Sequence, residues 1–205
     1  MTDLDKLPLW LCFTGQSGAG KEEVIKISSR LLKGKGVDIV SLSSGNQIRE
    51  CIATGTYMAK RMKEINDQAL LQPAAVSFAL TFMELVQKVT ENTCIIQEGS
   101  PRSVEQFEYM LSVYPRLIPN LKIIEILTDE QLCKQRLIER TKKDLRSDLT
   151  TNGEPDLAKI STKMAWWNET RVKLVEKMKQ AGVYSYVENN GTLEELEKKL
   201  EVLLS

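Results

Sequence analysis

The chain has 205 residues, enough for one buried core and near the upper limit of a single ordinary domain. Its 27% charged and 42% apolar residues strike the balance of a soluble globular protein, which excludes disordered and fibrous classes. With 28 basic and 28 acidic side chains the net charge is zero, so a nucleic-acid partner, which calls for a basic surplus, is not expected.

The chain has no histidine, and Cys12, Cys51, Cys94 and Cys133 are too far apart for metal-ligand spacing, so a zinc site is not expected. The four thiols read as buried or incidental, in a reducing compartment. No stretch has the length of a membrane span or of a signal-peptide apolar region. A cytoplasmic protein without a membrane partner is therefore expected.

In chain order, the compact apolar run 9–13 predicts a buried strand. Residues 22–32, with Val24, Ile25, Ile27, Leu31 and Leu32 on one face, predict a helix. A Gly34-Lys35-Gly36 turn leads into a second strand at 37–42. Residues 46–61 predict helix in pieces, broken near Gly55. Pro73 opens a long helix carrying Phe78, Phe82, Leu85 and Val89 at helical spacing. Further strands are predicted at 93–97, 121–127 and 183–187, and helices at 104–113, 130–140, 156–180 and 193–204. Five apolar strands separated by helices imply an α/β fold with a parallel sheet covered on both faces. The polar stretch 141–155 is the least regular segment and reads as a lid. Trp166 and Trp167, adjacent on a helix, cannot both face one core. One is expected to pack under the hinge of that lid, without a catalytic role.

The motif Gly15-x-x-x-x-Gly20-Lys21 lies between a predicted strand and a predicted helix, the context a phosphate-binding loop requires. Gly15, Ser17, Gly18, Ala19 and Gly20 would turn backbone N–H groups towards phosphate oxygens. The following helix adds its positive end, and Lys21 supplies a mobile cation. A nucleoside triphosphate is the ligand this arrangement suits. The hydroxyl residue usual after the lysine is absent, and Glu22 and Glu23 stand there instead.

Beyond the loop, the sequence resembles the nucleoside monophosphate kinases, and among them most closely the adenylate kinases with a short lid. Ser43-Ser44-Gly45-Asn46-Gln47-Ile48-Arg49 is similar to their Ser-Thr-Gly-Asp-Leu-Leu-Arg segment. Glu98-Gly99-Ser100-Pro101-Arg102-Ser103 with Gln106 is similar to Asp-Gly-Phe-Pro-Arg-Thr and its downstream Gln. Arg136, Arg140 and Arg146-Ser147-Asp148 resemble the arginine series around the lid. These motifs follow family order from about residue 9 to residue 191.

The resemblance implies a P-loop kinase with a five-stranded parallel sheet, a helical acceptor-binding insertion at 43–73 and a lid at 141–155. The core would comprise 1–42, 74–140 and 156–205. It implies transfer of the terminal phosphate of ATP to a nucleoside monophosphate, with Mg²⁺. Such transfer depends on positioning and charge neutralisation, which suits a set of arginines. Lys21, Arg102, Arg140, Arg146 and Lys163 would be catalytic. Arg136 would stack on the donor base, with Gly191, Glu22 and Glu23 also on the donor side. Glu98 would hold Mg²⁺ through water. Ser44, Arg49, Leu70, Leu71, Gln72, Gly99, Arg102, Gln106, Arg146 and Lys163 would bind the acceptor.

Gln106 suits adenine, whose amino group and ring nitrogen an amide can pair with, so AMP is the expected acceptor. A UMP or CMP kinase remains the alternative. Glu22 and Glu23, Ser100 in place of an aromatic, Leu149 in place of the second lid aspartate and Lys163 in place of arginine depart from the family pattern. They leave open a nucleotide-binding pseudo-kinase or sensor. A monomer is the expected state.

Overall fold

A computed structural model describes residues 7–141 and 148–205. Five parallel strands form its central sheet: β1 (Leu9–Thr14), β2 (Asp38–Ser43), β3 (Thr93–Glu98), β4 (Asn120–Leu127) and β7 (Tyr184–Glu188), in the order β2-β3-β1-β4-β7. Two-residue strands β5 (Thr150–Thr151) and β6 (Glu154–Pro155) make a separate antiparallel hairpin. The helices are α1 (Lys21–Lys33), α2 (Ser44–Ala53), α3 (Tyr57–Asp67), α4 (Ala74–Lys88), α5 (Val104–Val113), α6 (Glu130–Thr141), α7 (Leu157–Gln180) and α8 (Leu193–Leu203).

β1 explains why the sheet is covered on both sides. All six of its residues are buried, yet alternate side chains enter different cores, as the two-residue period of a strand demands. Leu9, Leu11 and Phe13 join α1, α6 and α8 through Val24, Leu137 and Leu200. Trp10 and Cys12 join α4, α5 and α7 through Leu85, Phe107 and Leu174. Burying a large apolar side chain contributes roughly 1.5–3 kcal/mol, and this strand supplies two such layers from one short run.

The chain lays β2 beside β3 on one side of β1, then crosses to β4 on the other. Ligands of open α/β sheets bind where the strand order reverses, outside the carboxyl ends of the strands. Both Thr14, before the glycine loop, and Glu98 lie at that edge. Two bonds tie the adjoining loops together: Gly99 N–H donates to Phe13 O at 2.8 Å and the Thr14 hydroxyl to Pro101 O at 2.6 Å.

The predicted elements agree with these within a few residues, with two exceptions. Helix α3 runs to Asp67, beyond the expected end at 61, because Thr56 caps it by accepting from Ala59 N–H and so starts a fresh helix after the Gly55 break. Residues 148–155 hold the β5–β6 hairpin rather than an unstructured loop. Its turn is Asn152-Gly153, both at positive φ (54° and 82°), the conformation a two-residue hairpin turn of this kind favours. None of the described helices is long and apolar enough to cross a membrane.

Candidate active site

The loop between β1 and α1 has the curl expected of it. Gly15, Gly18 and Gly20 have φ of 143°, 86° and 82°, values side chains other than hydrogen rarely tolerate. At Gly18 a Cβ would collide with the backbone carbonyl of Cys133. The loop is braced from the far side of the sheet: Asn189 donates Nδ2–H to Ala19 O at 2.9 Å and the Thr128 hydroxyl to the same oxygen at 3.1 Å. Asn189 is a positioning residue that sequence reasoning missed, because an isolated Asn at a strand end has no signature.

Lys21 folds back on the loop, donating from Nζ to Gly15 O at 3.0 Å and Gln16 O at 2.8 Å. Burial of the ammonium, with Arg102 and Arg140 nearby, lowers its pKa from 10.5 to about 7; Glu98 and Cys133 act in the opposite direction. Lys21, Glu98, Arg102 and Arg140 therefore share one electrostatic neighbourhood, although they come from α1, β3, the β3–α5 connection and α6.

Glu22 and Glu23 point away from it. Their carboxylates pair with Lys26 at 3.2 and 2.9 Å on the open face of α1, 63% and 47% exposed. Placed there, they do not compete with a phosphate for the loop amides. Their negative charges still favour the positive end of α1.

One turn before Arg140 on α6, Arg136 is half-buried, with Nη1 buried and without a partner among the described residues, close to Gly20. A buried unpaired guanidinium nitrogen costs roughly 1–3 kcal/mol and marks a place for a ligand oxygen or ring. Gly191 lies in the loop after β7, overlain by Glu195, which reaches back in a capping box with Thr192.

Glu98 receives the Ser43 hydroxyl on Oε2 at 3.1 Å, and its other oxygen has no partner among the described residues. One free carboxylate oxygen beside a phosphate loop fits Mg²⁺, which keeps several waters and takes its remaining ligands from phosphates. No group of three or more acidic, Cys or His residues that would chelate a metal unaided occurs among the described residues.

A second cleft opens beside the loop. Arg49, Arg102 and Lys163 line it, with Ser44, Leu70, Leu71, Gln72, Gly99 and Gln106. Arg49 lies over Gly45 and is held by Asn46 Oδ1. Arg102 donates Nε–H to Gly99 O at 2.7 Å, and Gly99 (φ 72°) leaves the room for it: a Cβ there would come within 2.5 Å of Nη2. Gln72 donates Nε2–H to Met62 O at 2.8 Å, with Oε1 buried and unpartnered among the described residues. Arg102 N–H occupies Gln106 Oε1 at 2.8 Å.

Three further positions belong to this region. Trp167 is in the core, but Trp166 lines the cleft, because it follows Lys163 by three residues and so shares its face of α7. Leu149 is a core residue, 2% exposed, which accounts for an apolar residue where the family has an aspartate. Lys163 binds Asp148 at 2.6 Å, both side chains nearly out of water. Arg146 falls outside the described residues.

The sheet order, the glycine loop at its reversal point and the arginine-lined cleft beside it define the fold of a P-loop kinase. No family model matches the chain. Among curated proteins, the adenylate kinase of Leptospira biflexa is 30% identical over 188 residues, 91% of this chain and 94% of the relative. The adenylate kinase of Flavobacterium johnsoniae is 26% identical over 91% and 93% of the two chains, and that of Mesomycoplasma hyopneumoniae 24% over 93% and 96%. The chain belongs to the adenylate kinase family, and it is an enzyme of nucleoside monophosphate phosphotransfer.

Proposed function

We propose that this kinase transfers the terminal phosphate of ATP to AMP, yielding two molecules of ADP, with Mg²⁺ on the donor. The donor phosphates lie on the Gly15–Lys21 loop and α1, with Arg136 at the base, Gly191 beside it and the backbone amides of Glu22 and Glu23 at the helix end. The acceptor lies in the cleft, its phosphate on Arg49 and Arg102 and its base near Ser44, Gln106 and the 70–72 segment, with Gly99 giving close backbone approach. An acceptor phosphate oxygen attacks the terminal phosphorus as the bond to the leaving ADP oxygen breaks, and the negative charge passes to ADP. Lys21, Arg102, Arg140, Arg146 and Lys163 neutralise that charge as it moves. Mg²⁺, held through water on Glu98, supplies charge neutralisation of the donor phosphates.

We assign 43–73 to acceptor binding and 141–155 to a lid that excludes water from the donor, so that ATP is not hydrolysed. Residues 1–42, 74–140 and 156–205 form the core.

One observation carries the AMP reading: Gln106 is held by Arg102 N–H on Oε1, so Nε2 remains to donate to an adenine ring nitrogen, and the second lone pair of Oε1 to accept from the amino group. An acceptor screen of AMP, GMP, CMP and UMP with ATP and Mg²⁺ tests it. Transfer to AMP in preference to the other three is expected. Transfer to CMP or UMP but not to AMP overturns it.

A further inference from the structure

Behind the acceptor cleft lies a small recess with Trp10 at its floor and Thr81 and Gln97 in its walls. It shares Ser44, Ser77 and Gln106 with the cleft. Its hydrogen bonds all run in one direction, and the direction is set by a residue outside the lining of the cleft. The Trp10 indole N–H can only donate, and it donates to Gln97 Oε1 at 2.8 Å. The Cys12 thiol points at the same oxygen, 3.9 Å away. A flipped amide would place its NH₂ against both donors. Gln97 Nε2 is therefore fixed towards Thr81 Oγ1 at 3.0 Å and Ser44 Oγ at 3.3 Å. Thr81, accepting there, passes its own proton to Gln47 Oε1 at 3.3 Å, and Gln47 donates to Glu84 at 2.9 Å.

Ser44 is the branch of this relay that meets the cleft. Its oxygen already accepts from Gln97, and its proton has no acceptor among the described residues. Gln106, also in the lining of the cleft, has one lone pair of Oε1 occupied by Arg102 N–H, and its Nε2 is left to donate.

We propose that Gln97, locked by Trp10, is a positioning residue that commits Ser44 to donate its proton to the acceptor nucleobase. The subsite then selects a base edge that offers an unprotonated ring nitrogen, as adenine's does, over one that offers a ring N–H. The inference rests on the assignment of the cleft as the acceptor site.

Gln97→Glu tests it, because a carboxylate of the same size accepts from Trp10 but draws the Ser44 proton inward. Steady-state kinetics with AMP and ATP, and calorimetric binding of AMP, are compared for the wild type, Gln97→Glu, Ser44→Ala and the double variant. The expected result is that KM and Kd for AMP rise about tenfold in each single variant, the net loss of one hydrogen bond. KM for ATP stays within about twofold, and the double variant is no worse than either single one, since both remove the same bond. An unchanged KM for AMP, a parallel rise in both KM values, or losses that multiply in the double variant overturn the proposal.

Melting curves show whether Gln97→Glu folds. Should it not, Trp10→Phe frees the amide without adding charge. It is expected to raise KM for AMP about threefold alone, and no change overturns the proposal. If the wild type uses another monophosphate instead of AMP, the AMP assignment fails while the same variant set decides Gln97's role with that acceptor. If the wild type binds no monophosphate, the cleft assignment and the proposal fall together.

Discussion

Lys163 and Asp148 face each other at 2.6 Å on the wall of the cleft that Arg49 and Arg102 line, with 13% and 5% of their side chains exposed. Removing one member of a buried pair leaves an uncompensated charge, and such losses run to roughly 3–5 kcal/mol. Lys163→Met is expected to lie near the lower end of that range, because the cleft admits water to the lysine, and to lower turnover with it. Lys163→Arg keeps the charge and adds a forked donor set matched to a carboxylate, so its melting temperature is expected to equal or exceed the wild type's. Thermal unfolding of the two variants, with a coupled assay at saturating nucleotides, checks both statements.

Lys21 gives the enzyme a pH signature. Its pKa is lowered to about 7 from 10.5, so between those values the unfolded chain holds a proton that the folded chain has released. Stability contributed by this group therefore rises with pH across that window, and the cost of enclosing the charge is greatest below about 7. A bound triphosphate reverses the shift by placing negative charge on the ammonium. ATP binding at pH 8 is expected to take up close to one proton, read by calorimetry in buffers of different ionisation enthalpy. Lys21→Met is expected to abolish the uptake.

Glu125, 1% exposed on β4, accepts from the Arg171 guanidinium through Nε and through Nη2 at 3.0 Å, and from the Tyr184 hydroxyl at 2.7 Å. The carboxylate raises the pKa of both partners, although for Tyr184 burial acts first. Arg171→Ala leaves a buried carboxylate with one donor and is expected to destabilise the fold by about 3 kcal/mol. Since Arg171 does not line the cleft of Arg49 and Arg102 and is engaged by Glu125, KM values at 20 °C are expected to stay near wild type. Denaturant unfolding read beside kinetics separates the two effects.

At Gly18 an added methyl would meet the Cys133 carbonyl, part of a helix that cannot retreat, at a φ of 86°. Gly18→Ala is expected to raise KM for ATP at least tenfold. Gly36→Ala shares a positive φ of 78° but has no atom within 4 Å of its Cβ. It should cost about 1 kcal/mol of stability and leave kinetics unchanged, which makes it the control.

Much of this was legible from the residues. Short apolar runs and helical spacing predicted every strand of the main sheet, because a two-sided parallel sheet writes itself as unbroken apolar segments. Lys21, Arg49, Glu98, Arg102 and Gln106 stand in local motifs, so their nearness to one another follows once the sheet is known. What could not be read was whatever depends on contacts across the chain. Trp10 and Gln97 are 87 residues apart, and neither has the composition of a site. Asn189 reaches back 170 residues to Ala19. The outward turn of Glu22 and Glu23 depended on Lys26 one turn along, a pairing visible in sequence but not decisive there. The Asn152-Gly153 hairpin was signalled by its own dipeptide.

The two short bonds that join Phe13 to Gly99 and Thr14 to Pro101 also bear on how such an enzyme can change over generations. They make the triphosphate loop and the Gly99–Arg102 floor a single inherited unit, in which a substitution on one side disturbs the other. Among the described residues, the helices from residue 44 to residue 67 carry no such bonds to the glycine loop. Changes confined to those helices therefore leave the link between the two loops in place.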